Sequence, residues 1–277
     1  MNHNRYEPAA SVPRRRRSGC AVMGCGVVVV ALLSIIALVG FLVAAFTGNS
    51  PIKANRLPIP DDVPPAAAAP APTIDIHQPG RTANQLARWA RGQVSETNIP
   101  YQALIAYGNA ENIARQTKPE CKLSWNTLAG LGFVETKHGS YAGWTLRGTK
   151  LNDQGTADPK IFGPQLNGEK FARIEDTDGG ELDGDKEFDR AMGPMQFIPE
   201  TWKHYGVDAN GDGVADPQNI DDAAAAAARL LCDFGRDLST PEGWTQAIRS
   251  YNQSDQYVRD VRDAAANYAL GQSASVI

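Results

Sequence analysis

In this 277-residue chain, three groups of side chains have types and spacings that can do chemistry. The first is Glu135, near the end of Ser124-Trp-Asn-Thr-Leu-Ala-Gly-Leu-Gly-Phe-Val-Glu-Thr-Lys-His-Gly139. Ser124 is placed to cap a helix there, and Gly139 to end it in a left-handed turn. Leu128, Leu131 and Glu135 follow the spacing of a core stripe, so the carboxylate points where the leucines point. Burial disfavours the charged form and raises the pKa, which lets the group keep a proton near neutral pH and act as a general acid. The alternative is a structural glutamate paired with Lys or Arg.

The second group is Asp208-Ala-Asn210-Gly-Asp212-Gly-Val214-Ala-Asp216. It sets oxygen ligands at positions 1, 3, 5 and 9, glycine at 6 and a backbone carbonyl at 7, as in the opening of an EF-hand loop. Oxygen donors without soft ones point to calcium rather than zinc. Position 12 holds Asn219 instead of a bidentate glutamate, so Asp222 is expected to supply the missing carboxylate. The expected site is Asp208, Asn210, Asp212, the Val214 carbonyl and Asp222; the alternative is an Asp/Gly turn before a helix. The third group is Gly193-Pro-Met195-Gln196-Phe197-Ile-Pro199, an amide in a rigid turn, together with Ser250-Tyr251-Asn252 at a helix end. By themselves Phe197 and Tyr251 read as core aromatics.

The elements around these groups are mainly α-helical. Thr82 and Gln85 have capping-box spacing ahead of the stripe Leu86, Trp89, Ala90 and Val94. Pro100 suits the first turn of a second helix, whose buried face is Tyr101, Leu104, Ile105, Gly108 and Ile113. After the Glu135 helix, residues 140–192 read as a long excursion with short elements. Within it, 175–189 holds acids at eight positions against Lys186 alone; a solvated, turn-rich loop is expected, with a second cation site as the alternative. Helices are expected to resume at 199–205, 221–235 (capped by Asp221), 244–251 and 255–270. Outside the apolar N-terminal segment no run of β-branched residues calls for a sheet.

The N-terminal part differs in kind. Arg5 and Arg14 to Arg17 oppose Glu7 in residues 1–18, so the net charge of −4 conceals a clearly acidic body, which argues against nucleic acid as a partner. Residues 19–50 carry no charge, and 19–47 are long and apolar enough for one transmembrane helix, with the arginines placing the N-terminus in the cytoplasm. A cleaved signal peptide is the rival reading, although the apolar run is too long for an ordinary one. Cys20 and Cys25 fall at the start of that run, where they read as inert membrane residues or acylation sites. Residues 48–81, rich in proline and alanine, read as an extended linker reaching up to ~90 Å, leaving 82–277 as the folded domain outside the membrane. Cys121 and Cys232 are the only cysteines beyond the apolar segment, and an oxidising compartment predicts a disulfide between them.

Taken in order, Val134-Glu135-Thr136-Lys137-His138-Gly139, Arg190-Ala-Met-Gly-Pro-Met-Gln-Phe-Ile-Pro-Glu-Thr-Trp202, the Asp208 loop and Ser250-Tyr251-Asn252 resemble the lytic murein transglycosylase B family over about residues 83–270. The resemblance implies a lysozyme-like helical fold. It also implies cleavage of peptidoglycan glycan strands between N-acetylmuramic acid and N-acetylglucosamine, with one glutamate acting as acid and then base. Carried over, Glu135 is that glutamate. Gly193, Met195, Gln196 and Phe197 line the sugar cleft, and Tyr251 and Asn252 brace Glu135. Thr136 stands where many members have serine. A single acid suffices because the muramyl C6 hydroxyl is the family's nucleophile and closes a 1,6-anhydro ring. Two other readings stay open: a hydrolytic muramidase, if Asp176 or Asp178 reaches the cleft, and a non-catalytic, calcium-stabilised wall-binding module.

Overall fold

Proline and glycine punctuate the chain after residue 56, and the stretches between them are rich in Ala and Leu, which favour helix. The computed structural model describes residues 56–140, 148–169 and 171–275, and 57–277 form one compact unit. The basic tail and the expected transmembrane helix lie outside the described residues; among those described, no helix is long and apolar enough to cross a membrane.

Seven α-helices are found among the described residues: α1 (Ala87–Thr97), α2 (Tyr101–Thr117), α3 (Trp125–Thr136), α4 (Pro199–Tyr205), α5 (Ile220–Leu231), α6 (Pro241–Tyr251) and α7 (Asp255–Ala269). The mainly helical expectation holds. Helix α2 is buried along most of its length and packs against α3 and α5, while α3 packs closely on α7. Two glycines permit that approach. A Cβ at Gly130 would lie 2.7 Å from the Val261 carbonyl of α7, and one at Gly132 would lie 1.9 Å from the Tyr107 hydroxyl of α2.

Against expectation, there are also two small antiparallel ladders. β1 (Lys150–Leu151) pairs with β2 (Ala157–Asp158), and β3 (Phe162–Gln165) with β4 (Arg190–Met192). They need no β-branched run because side chains fix their turns: Asn152 Oδ1, for example, accepts the amides of Gln154 and Thr156 at 3.0 Å each.

The caps also differ from the sequence reading. Residues Thr82–Leu86 form a 3-10 turn in which Thr82 donates to Asn109 Oδ1 (2.9 Å) and Gln85 bonds the Asp75 backbone, so no capping box forms. Ser124 has the extended backbone of an N-cap, but its hydroxyl turns to Asn126, and the Trp125 amide is accepted by Glu111 Oε1 at 3.2 Å. Asn219, rather than Asp221, caps α5 by accepting the Asp221 amide at 2.9 Å. Asp221 instead meets Arg81 in a buried ion pair at 2.6 Å. The expected helix at 221–235 stops at Leu231, and a 3-10 turn follows.

The largest correction concerns the linker. Residues 57–81 are part of the folded body rather than an extended linker, and the ~90 Å reach expected of residues 48–81 is lost. Burial recurs at Pro65, Ala68, Ala71 and Ile74, every third residue, which is the repeat of a polyproline II helix. Such a strand has no hydrogen bonds of its own, and side chains of α2 and α3 supply them. Asn126 Oδ1 accepts the Ala68 amide (3.1 Å), Glu111 Oε2 that of Ala71 (2.8 Å) and Asn112 Oδ1 that of Ile74 (3.3 Å). Trp125 Nε1 donates to the Ala69 carbonyl at 3.0 Å. Composition suggested a tether because proline and alanine cannot build a core alone, but alanines can fill one that helices have begun.

The Cys121–Cys232 disulfide is formed, with 5.3 Å between the Cα atoms, and ties the segment entering α3 to the end of α5.

Glu111 accepts amides from both the strap and the first turn of α3. Glu111→Ala would leave two buried donors unpaired, a loss of about 1–3 kcal/mol each. The expected result is a lower melting temperature and faster hydrogen exchange at Ala71; equal Ala71 exchange in the two proteins would refute the strap.

Candidate active site

The end of α3 is fixed from three sides. Lys137, His138 and Gly139 are all left-handed, at φ 51, 62 and 80°, so the chain turns sharply right after Glu135 and Thr136. His138 is buried between two hydroxyls, Tyr107 on Nδ1 (3.1 Å) and Tyr268 on Nε2 (2.8 Å), and burial pushes its pKa down to about 3. Thr136 Oγ1 accepts the Gly139 amide at 2.8 Å and donates to the Pro194 carbonyl at 2.6 Å, fastening α3 to the 193–197 turn.

That turn is rigid for its own reasons. Gly193 (φ 70°) sits so close to the Pro217 carbonyl that a Cβ would lie 1.7 Å from it. Gln196, also left-handed at φ 50°, donates from Nε2 to the Gly193 carbonyl at 2.9 Å, which orients its amide. Met192 and Phe197 close the turn with paired backbone bonds of 2.8 and 3.0 Å.

Between α3, this turn, the end of α6 and the β3–β4 insertion lies a cleft of about 500 Å³. Of the expected residues, Glu135, Gln196, Phe197, Tyr251 and Asn252 line it together. Gly193 and Met195 do not. Met195 is fully buried, and its carbonyl accepts the Tyr251 hydroxyl at 2.8 Å, so both residues support the cleft from behind. The Tyr251 hydroxyl, in a residue expected to brace Glu135, is thus engaged with Met195, and Asn252 Oδ1 accepts the Ser254 amide at 3.0 Å. The hydroxyl that donates to Glu135 Oε1 is that of Tyr257, in the first turn of α7. Sequence reasoning missed Tyr257, whose place before Val258 and Val261 marks it only as part of a buried helix face.

Burial pushes the Glu135 pKa up to about 7, and the Tyr257 hydrogen bond pulls it partly back. A carboxyl group in this state divides its population between acid and base at neutral pH. Among the described residues that line the cleft, Glu135 is the sole carboxylate. Asp176 and Asp178 are not in the lining. Asp176 Oδ1 accepts the amides of Asp178, Gly179 and Gly180 (2.8–3.2 Å), and Asp178 those of Gly180 and Leu182 (3.0 and 2.7 Å). The acidic segment is thus turn-rich, as expected. Oxygens of Asp176, Asp178 and Asp189 also come within 4.8 Å of one another.

The Asp208 loop winds around its own carboxylates. Asp208 accepts the amides of Gly211 (2.7 Å) and Gly213 (2.8 Å), Asn210 that of Asp212 (2.8 Å), and Asp212 that of Val214 (2.9 Å). From α5, the fully buried Asp222 accepts the amides of Ala209, Asn210 and Asp216. Burial first, and then the charge of Asp208, push its pKa up to about 6. Unlike those of Asp176, Asp178 and Asp189, the carboxylates of Asp208, Asp212 and Asp222 do not converge within 4.8 Å of one another; their oxygens accept backbone amides instead. Asn219 cannot serve at position 12 because it is occupied in capping α5.

Residues 187–245 match the family described as the Transglycosylase SLT domain. The match spans β4, the Gln196 turn, α4, the Asp208 loop, α5 and the start of α6, leaving Glu135 and Tyr257 outside it. Comparison with curated proteins and with solved structures gave no match.

The Glu135 pKa fixes a sign for stability. The unfolded chain releases this proton near 4.5 and the folded chain near 7, so the contribution of Glu135 is fully present below about 4.5 and is lost as pH rises to about 7. Up to about 3 kcal/mol is involved. Glu135→Gln, which does not titrate, is expected to melt increasingly above the parent between pH 4.5 and 7 and to keep that lead at pH 8. A difference in melting temperature that stays constant with pH would show that Glu135 titrates normally.

Proposed function

We propose that this chain is a peptidoglycan lytic transglycosylase. It cleaves the bond between N-acetylmuramic acid and N-acetylglucosamine with formation of 1,6-anhydromuramyl ends, in remodelling of the cell wall. The observation that carries the reading is Glu135, half-buried at the wall of the cleft, with its pKa pushed up to about 7 and without a second carboxylate among the described cleft residues. Hydrolysis by two flanking acids requires a partner that the cleft does not offer there. The match of residues 187–245 supports the same reading from a part of the chain that does not include Glu135.

The chemistry needs one group to act twice. Glu135 gives its proton to the glycosidic oxygen as the bond from muramyl C1 breaks. The muramyl C6 hydroxyl then bonds to C1, and its proton passes to the Glu135 carboxylate, which restores the acid. Tyr257 holds Oε1, leaving Oε2 to carry the proton. Tyr257 itself is held un-ionised by burial and by Glu135 nearby, so it remains a donor throughout.

Calcium, held by Asp208, Asn210, Asp212, the Val214 carbonyl and Asp222, would supply structural charge neutralisation rather than catalysis. The loop runs into Pro217 and Gln218, against which the Gly193 turn is packed, so its rigidity bears on the position of Gln196. In this reading the chain is anchored by residues 19–47, with the folded body outside the cytoplasm, where an oxidising environment maintains Cys121–Cys232.

Glu135→Gln is expected to lower release of soluble muropeptides by at least 10²- to 10⁴-fold, because general acid catalysis contributes about that much. Products of the parent should be one water lighter than reducing-end muropeptides in mass spectrometry. Reducing ends would identify a muramidase, and an unchanged rate in the Gln variant would rule out Glu135 as the acid.

Chelation is expected to lower the melting temperature of the parent. Asp212→Ala should melt lower and no longer respond to added calcium. A parent melt indifferent to both chelator and calcium would dismiss the metal.

A further inference from the structure

The insertion between β3 and β4 treats its two aromatic rings differently. Phe188 is buried beneath the Arg173 guanidinium, which lies 4.9 Å above its ring. Phe171 is 53% exposed, near the tip. The tip is nevertheless well tied. Asn167 bridges to Arg173, the Leu166 carbonyl accepts the Ile174 amide at 2.8 Å, and Asn167 Oδ1 accepts the Glu169 amide at 3.1 Å. At the base, Asp185 joins Gln165 (2.7 Å) and Arg190 (2.8 Å), and Asp183 accepts the Arg190 amide at 2.6 Å. The acids of the 175–189 segment thus fasten a projection whose outer ring adds little to the core.

Phe171 faces the same cleft as Glu135, Gln196, Tyr251 and Asn252. The described lining has aromatic and aliphatic surface, two side-chain amides and no Lys or Arg. That combination suits a neutral, hydroxyl- and amide-bearing ligand with an apolar face, and not a phosphate or a free carboxylate. We propose that Phe171 is a sugar platform: its ring covers the C–H face of a pyranose in the glycan strand and sets how tightly the strand binds. The proposal rests on the glycan-cleaving reading above and adds a binding subsite on the insertion wall to it.

The test uses the full chain with Glu135→Gln to stop turnover, and a β-1,4-linked N-acetylglucosamine tetramer as probe, with affinity measured by calorimetry. Covering half a phenyl ring corresponds to about tenfold in affinity. Phe171→Ala should weaken binding by about that factor with an unchanged melting temperature, since the ring is exposed. Phe171→Trp and Phe171→Tyr should bind within about twofold of the Phe171 protein. Phe171→Leu should stay weak, because it keeps apolar bulk without a flat face. Unchanged affinity in the Ala variant, or full affinity in the Leu variant, would overturn the platform. Whether the parent releases anhydromuramyl products is a separate measurement, so a failed platform and a failed transglycosylase reading are told apart.

Discussion

Keeping a carboxyl group protonated at neutral pH takes a surrounding that cannot solvate its charge, and the Glu135 end of α3 depends on that condition. On its inner side the helix packing is close, because Gly130 and Gly132 let α7 and Tyr107 reach the backbone of α3. The cost is a raised pKa that weakens the fold as pH rises, and the surrounding contacts must bear it. Tyr107 and Tyr268 hold His138, Thr136 holds Pro194, and together they stop the last turn of α3 from opening toward water. Loosening any of these would solvate Glu135 and let its pKa fall toward that of an ordinary glutamate.

The other end of α3 is fixed by a different device. Of its first amides, that of Thr127 is accepted by the Ser124 carbonyl at 3.0 Å, but the Ser124 side chain caps none of them and the Trp125 amide needs another partner. Glu111 provides it from α2 and holds the strap with its other oxygen, while Asn126 bonds the strap at Ala66 and Ala68 and α7 at Ala265. A strand of proline and alanine, with no hydrogen bonds within itself, thereby joins α2, α3 and α7 at one point. Helix α3 is clamped at both ends by side chains that come from elsewhere in the chain.

What could be read in the sequence had local causes. The leucine spacing of α3 and the turn at Gly193 are each contained within a few residues, and each lies where it was read. The misses came from contacts between distant residues. Tyr257 reaches Glu135 across 122 positions, and nothing local distinguishes it from Tyr251 or Tyr268 as the donor. The strap has a linker's composition, and only the buried Glu111, Asn112 and Asn126 on other elements show that its amides are accepted. Caps failed for the same reason: Ser124 and Thr82 have suitable side chains, but nearby asparagines take their hydroxyls.

Glu111 and Glu135 show why burial alone does not identify a catalytic acid. Glu111 is the more deeply buried, and burial raises its pKa too. Both of its oxygens accept backbone amides, and Arg115 lies 3.9 Å away, so proton exchange there would break the junction of strap and helix. Glu135 has one oxygen held by a phenol and opens on a cleft. A group can give up and regain a proton repeatedly only if its other contacts survive both states. A hydroxyl meets that condition, because it donates to a carboxylate and to the carbonyl oxygen of a carboxylic acid alike. The distinction between the two glutamates therefore lies in their partners.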